Sequence, residues 1–179
     1  SSIIDFNYKT HICKNSTEAD KYWRIRRESF NLLRKHMAGK RTAPCIDDLI
    51  VSPAVLPEFL PKIIEILDAT GCVYTIAGHV GDGNFHIIPL LDMKLNASRD
   101  FVINVSRQVY DLVIGLGGSI TAEHNDGIMR TPFLQQMYGS EVVGLFTQTK
   151  HAFDPNTLFN PGKKVGGSFA DVENYLITE

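Results

Sequence analysis

His79 and His86 stand seven residues apart on either side of Gly81-Asp82-Gly83, and apolar runs flank both. Residues 72–77 and 85–91 are rich in β-branched and other apolar side chains, so each reads as a strand. Strands joined by a connection this short run antiparallel, and glycines at 81 and 83 permit the tight return. The pair therefore anchors a sheet. It also predicts that His79 and His86 face each other across it, because directly opposed residues of an antiparallel pair put their side chains on one face.

The remaining elements are read outward from that hairpin. Residues 9–14 read as a strand, and Ser16 and Thr17 offer hydroxyl caps for a helix running to residue 38, with Gly39 as its stop. Residues 48–51 read as a short strand. Ser52 and Pro53 open a helix over 53–69, its first turns made irregular by Pro57 and Pro61, and Gly71 closes it. An amphipathic helix over 98–115 ends in Gly115, Gly117 and Gly118, and a last long helix covers 140–153. An irregular Asn160-Pro161-Gly162-Lys163-Lys164 tail and a terminal segment from Ser168 follow. Helices and strands alternate without repeats or low-complexity linkers, which is the pattern of one α+β unit.

Bulk properties narrow the function. With 179 residues, 44% of them hydrophobic, the chain can bury a core without disulfides. Eighteen basic against twenty acidic residues leave a net charge of -2, so no global field recruits nucleic acid or an anionic membrane. Cys13, Cys45 and Cys72 are widely spaced and form no Cys-x-x-Cys pair, which suits a reducing compartment and argues against a thiolate metal site. No apolar run approaches the roughly 20 residues of a membrane span. These features predict a cytoplasmic protein with a small-molecule or protein partner.

Chemistry concentrates in two glycine-flanked stretches, Gly78-His79-Val80-Gly81-Asp82-Gly83-Asn84-Phe85-His86 and Thr121-Ala122-Glu123-His124-Asn125-Asp126-Gly127. Two histidines plus an adjacent Glu-His pair provide borderline metal ligands and a spare base, the residues that metal-assisted acid/base chemistry needs. Glu123 and His124 point in different directions in any regular element, so they belong at an element's edge. Asp82 and Asp126 beside glycines are ordinary turn formers, whereas Asn84 reads as a contact to a bound small molecule. His11, His36 and His151 lie outside the constellation and read as hydrogen-bonded structural residues. Gly81-Asp82-Gly83 lacks the Gly-x-Gly-x-x-Gly spacing and precedes a strand, which excludes a nucleotide-binding loop.

On the first helix, Ala19, Trp23, Phe30, Leu33 and Met37 form an apolar stripe, and Arg26 falls on it. An inward-facing arginine needs an anionic partner, either a substrate carboxylate or an internal acid. Arg24, Arg27 and Arg34 read as a solvated face.

The two stretches, together with Phe153-Asp154-Pro155 and Asn160-Pro161-Gly162-Lys163, resemble the C-terminal domain of FAD-linked oxidases of the vanillyl-alcohol-oxidase type. Trp23, Arg26 and Val51-Ser52-Pro53 are weaker echoes. That family includes D-lactate dehydrogenases, D-2-hydroxyglutarate dehydrogenase and the flavin subunit of glycolate oxidase. The resemblance implies an α+β, ferredoxin-like sandwich, its antiparallel sheet packed on helices, N-terminally incomplete, capping a separate FAD-binding domain normally in the same chain. It implies that His79, His86 and Glu123 bind a divalent metal (Zn, Mn or Fe), that His124 removes the substrate hydroxyl proton, and that Arg26 and Asn84 bind substrate. Asn160 is the implied cofactor contact, with FAD held mainly by the other domain.

The expected function is the cap of a dehydrogenase oxidising a D-2-hydroxy acid to the 2-oxo acid, the isolated chain being inactive and a homodimer left open. Two alternatives stand beside it. One is a free-standing divalent-metal-binding module, the other a small metallohydrolase using His124 as base. The sequence departs from relatives in having Asn125-Asp126-Gly127 for the commoner Gly-Val-Gly and no lysine near residues 46–48, which leaves the hydroxy acid open.

Overall fold

A computed structural model describes residues 11–36, 41–43, 45–92 and 96–176. The chain divides into two compact units, residues 1–38 and 39–179. Of the expected strand over 9–14, residues 9 and 10 lie outside the described residues and 11–14 join no regular element. The predicted stop at Gly39 also lies outside them.

Helix α1 spans Ser16–His36. Its cap is Asn15, one residue before the hydroxyls that the sequence suggested: Asn15 Oδ1 accepts from the Glu18 backbone N–H at 2.9 Å. Glu18 reaches back to accept from the Lys14 N–H at 2.7 Å and meets His11 Nε2 at 2.8 Å, so the first turn closes on itself. The stripe expected to face inward is open at two positions. Trp23 is 54% exposed and Arg26 is also exposed, its guanidinium 5.9 Å from the Trp23 ring centre. A guanidinium at this distance over an indole ring makes a cation–π contact at the surface.

The second unit is built on one antiparallel sheet. Strands β1 (Arg41–Thr42), β2 (Ile46–Ile50) and β3 (Val73–His79) flank a central β4 (Asn84–Leu91), with β3 along one edge and β1 and β2 in tandem along the other. Helix α2 (Leu56–Ala69) connects β2 to β3, and α3 (Asn96–Gly115) follows β4. The order β2-β4-β3 is that of a ferredoxin-like sandwich through its first three strands. Where its fourth strand would pair, Ser119 forms an isolated antiparallel bridge to Ile50. The remaining helices are α4 (Gly127–Arg130), α5 (Leu134–Phe153) and α6 (Phe169–Tyr175).

Local chemistry sets these boundaries. Pro53–Val55 form a 3₁₀ turn before α2, because Pro57 has no N–H to extend the ladder backward. In α5, Gly139 at φ 79 and ψ 164 breaks the helix, so its regular part starts at Ser140 as the sequence suggested. Ser168 and Asp171 make a reciprocal capping box that starts α6.

One face of the sheet carries the core. Phe85 and Ile87 on β4, with Ile46 and Leu49 on β2, are buried with Phe59, Ile63 and Leu67 of α2 and Val102, Val105, Val109 and Val113 of α3. Alternation then turns Asn84 and His86 of β4, and Ala77 and His79 of β3, toward the opposite face. The hairpin connection is a 3₁₀ turn over Val80–Asp82 closed by Gly83. Gly83 takes φ 76, and an added Cβ would lie 1.9 Å from the Val51 carbonyl oxygen, so no other residue fits without moving β2's exit.

A candidate metal and proton-transfer site

The register places His79 opposite Asn84 and His86 opposite Ala77. The two histidines are therefore diagonal neighbours, not the directly opposed pair the loop length suggested. The Val80–Asp82 turn and Gly83 occupy the connection, and Asn84, which β4 already counts as its first residue, takes the position across from His79. Side chains on one face still meet along the diagonal, and the rings stand edge to face with centroids 6.0 Å apart.

Glu123 and His124 arrive from the irregular segment between α3 and α4. Glu123 Oε1 lies 3.3 Å from His79 Nε2, and Glu123 Oε2 lies 4.0 Å from His124 Nε2. The His124 ring centre is 5.5 Å from that of His86. One donor atom each from His79, His86 and Glu123 fall within 4.8 Å of one another, as do donor atoms of Asp48, His86 and His124. All four residues expected from sequence thus converge on one sheet face.

Two aspartates that the sequence reading passed over organise the site. Asp47 Oδ1 meets His86 Nδ1 at 2.8 Å. A carboxylate only accepts, so Nδ1 carries the proton and the other ring nitrogen of a neutral His86 keeps its lone pair for a metal. Asp48 is fully buried and receives the loop: the backbone N–H groups of Ala122, Glu123 and His124 donate to it at 2.9, 3.0 and 2.9 Å, and the Thr121 hydroxyl at 3.3 Å. Burial pushes its carboxyl up, but the His124, Ala122 and Glu123 N–H groups and the nearby Arg130 charge outweigh that and hold it below the ordinary carboxylate range.

Asn84 is buried as well. Its amide nitrogen donates to Asp48 Oδ1 at 3.3 Å and to the Leu49 carbonyl at 3.2 Å, while its Oδ1 has no partner among the described residues. Asn160 is exposed at φ 47 in the loop after α5, where Lys163 Nζ reaches its Oδ1 at 3.3 Å. Arg26 belongs to the N-terminal unit. Asp126, read as a turn former, is buried and paired with Lys164, while His151 is exposed on α5. The side chain of His36 is outside the described set.

The donor set suits a divalent ion. Two imidazoles and a carboxylate are a familiar three-ligand array that leaves positions open, and the half-exposed His79 and Glu123 side chains keep those positions accessible to a small molecule. No thiol takes part: Cys13, Cys45 and Cys72 are free, and burial, the largest influence on it, pushes the Cys45 thiol up to about 12.

The family described as FAD linked oxidases, C-terminal domain, matches residues 5–164, and the chain belongs to it. The chain is 31% identical over 154 residues to a D-2-hydroxyglutarate dehydrogenase of Pseudomonas putida, covering 86% of this chain and 15% of that protein. It is 28% identical over 152 residues to the D-2-hydroxyglutarate dehydrogenase of Escherichia coli, covering 85% of this chain and again 15% of the relative. To a D-lactate dehydrogenase of Archaeoglobus fulgidus it is 29% identical over 148 residues, covering 83% of this chain and 31% of that one. The chain thus spans well under half the length of these relatives. Among the described residues no helix is long and apolar enough to cross a membrane.

Proposed function

We propose that this chain is the substrate- and metal-binding cap of an FAD-dependent dehydrogenase that oxidises a D-2-hydroxy acid to the 2-oxo acid. The observation that carries the reading is the convergence of His79, His86 and Glu123 donor atoms within 4.8 Å, with His124 beside them, in a member of the FAD-linked oxidase family. When bound, a divalent ion supplies Lewis acidity to the substrate hydroxyl and the flavin supplies the hydride acceptor.

The chain's own residues do the rest. His79, His86 and Glu123 would hold the ion on the sheet face. His124, with 58% of its side chain exposed, is placed to take the substrate hydroxyl proton. Asp47 fixes the ring of His86, so the base and ligand roles stay with different histidines. Arg26 and Asn84 are the proposed substrate contacts and Asn160 the proposed cofactor contact.

Metal content of the purified chain, measured by mass spectrometry after incubation with Zn²⁺ or Mn²⁺, tests the ligand set. Near-stoichiometric metal that disappears in His79→Ala and Glu123→Ala is the expected result. In the whole protein, His124→Ala should lower kcat by about 10²- to 10⁴-fold on a D-2-hydroxy acid, the range of general-base contributions. Wild-type turnover in that variant would refute the assignment.

A further inference from the structure

The register of β2 contains a device that periodicity conceals. Ile46 pairs with Ile87 and Leu49 with Phe85, so three steps along β2 match two along β4. The extra residue is a β-bulge, and Asp47 and Asp48 together stand opposite His86. Asp48 takes φ 67, in the left-handed region, within this bulge. In a regular strand adjacent side chains point to opposite faces. Here Ile46 and Leu49, three apart, both enter the core on the helix side, and both aspartates address the site.

We infer that the Asp47-Asp48 bulge is the positioning element of the metal site, one carboxylate setting each half of it. Asp47 orients the His86 imidazole through Nδ1. Asp48 gathers the backbone N–H groups of residues 122–124 and so sets the path of the segment that presents Glu123 and His124. The two halves, His86 and the segment carrying Glu123, are 37 residues apart in sequence, and one dipeptide bonds to both. The bulge sits beside the site, where such irregularities re-aim side chains. Neither aspartate is a catalytic residue; both act through the residues they hold. This rests on the metal-site reading above.

The test is Co²⁺ titration of the purified chain, followed by visible absorption, with thermal unfolding recorded for every variant. Wild type should bind and His79→Ala should not. Asp47→Ala should weaken Co²⁺ binding about 10- to 100-fold, the range for partners that orient ligands, and change the absorption spectrum. Asp47→Asn, whose amide oxygen can still accept from Nδ1, should recover most of the affinity. Asp48→Ala should weaken binding at least as much. A core variant that lowers stability without touching the site, Val113→Ala, should leave the affinity unchanged, which separates positioning from general destabilisation. If Asp48→Ala does not fold, Asp47→Ala decides. Wild-type affinity and spectrum in Asp47→Ala overturn the inference while leaving the metal site standing. A wild type that binds no Co²⁺ overturns the metal-site reading, and the inference with it.

Discussion

Arg130 donates through one guanidinium nitrogen to the carbonyl oxygen of Asp47 and through the other to that of Asn125, at 2.6 Å in the second case. A buried cation thereby ties the bulge of β2 to the loop that carries Glu123 and His124. Both carbonyls belong to irregular backbone, so no strand or helix partner replaces the arginine if it is removed.

Arg130→Ala should therefore destabilise the chain by about 2–3 kcal/mol, the cost of leaving buried acceptors without donors. Arg130→Lys should recover only part, because one ammonium cannot reproduce the planar fork that spans two carbonyls. Urea unfolding of the three proteins settles the matter; coincident midpoints for Arg130→Ala and wild type would show that the bridge carries no stability.

Glycines 81 and 83 make a paired prediction, since they share a loop and differ in surroundings. At Gly83 a Cβ would strike the Val51 carbonyl, and φ is 76; at Gly81 nothing lies within 4 Å of an added Cβ. Gly83→Ala should cost upward of about 3 kcal/mol or prevent folding, as strain and clash add. Gly81→Ala should fall between neutral and about 1 kcal/mol stabilising, through the unfolded chain's lost freedom. Equal effects at the two positions would contradict the described turn.

How much of this could be read from sequence follows from what each feature needs. The grouping of His79, His86, Glu123 and His124 was legible because four chemistry-bearing residues fall in two glycine-flanked stretches. Their diagonal packing was not, since register depends on how the turn over residues 80–83 divides between connection and strand. Asp47 and Asp48 were missed because alternation assigns neighbours to opposite faces, and a bulge leaves no mark on periodicity. The signal available was two acids inside the apolar run from Ile46 to Val51, a costly arrangement unless both are satisfied. Arg130 follows a turn like many surface arginines, and only the fold reveals its burial. The inward stripe on α1 failed at Trp23 and Arg26, because helical spacing identifies a face without saying what covers it.

Thiol chemistry should separate two of the cysteines. Cys45 is buried, and that burial pushes its thiol up to about 12, so at pH 8 almost no thiolate forms there. Cys13 is partly exposed. Iodoacetamide at pH 8 should label Cys13 in the native chain and reach Cys45 only after denaturation, as peptide mass mapping would record. Native labelling of Cys45 at a rate matching Cys13 would mean that the β2 edge opens readily.

Acid should loosen the turn after α5 in a defined window. The Lys150 ammonium beside Asp154, joined by the N–H groups of Phe159 and Leu158, holds that carboxyl down to about 2. A carboxylate with a depressed folded-state value contributes stability above its unfolded value, about 3.9, and loses it as pH falls toward the folded value. The contribution of Asp154 should thus be whole at pH 5 and vanish between about pH 4 and pH 2. Asp154→Asn should be less stable than wild type at pH 5, and the gap between their urea midpoints should close as pH drops to 2.5. A gap that stays constant over that range would mean that the loop is held by the hydrogen bonds to residues 158 and 159 without help from the carboxylate's charge.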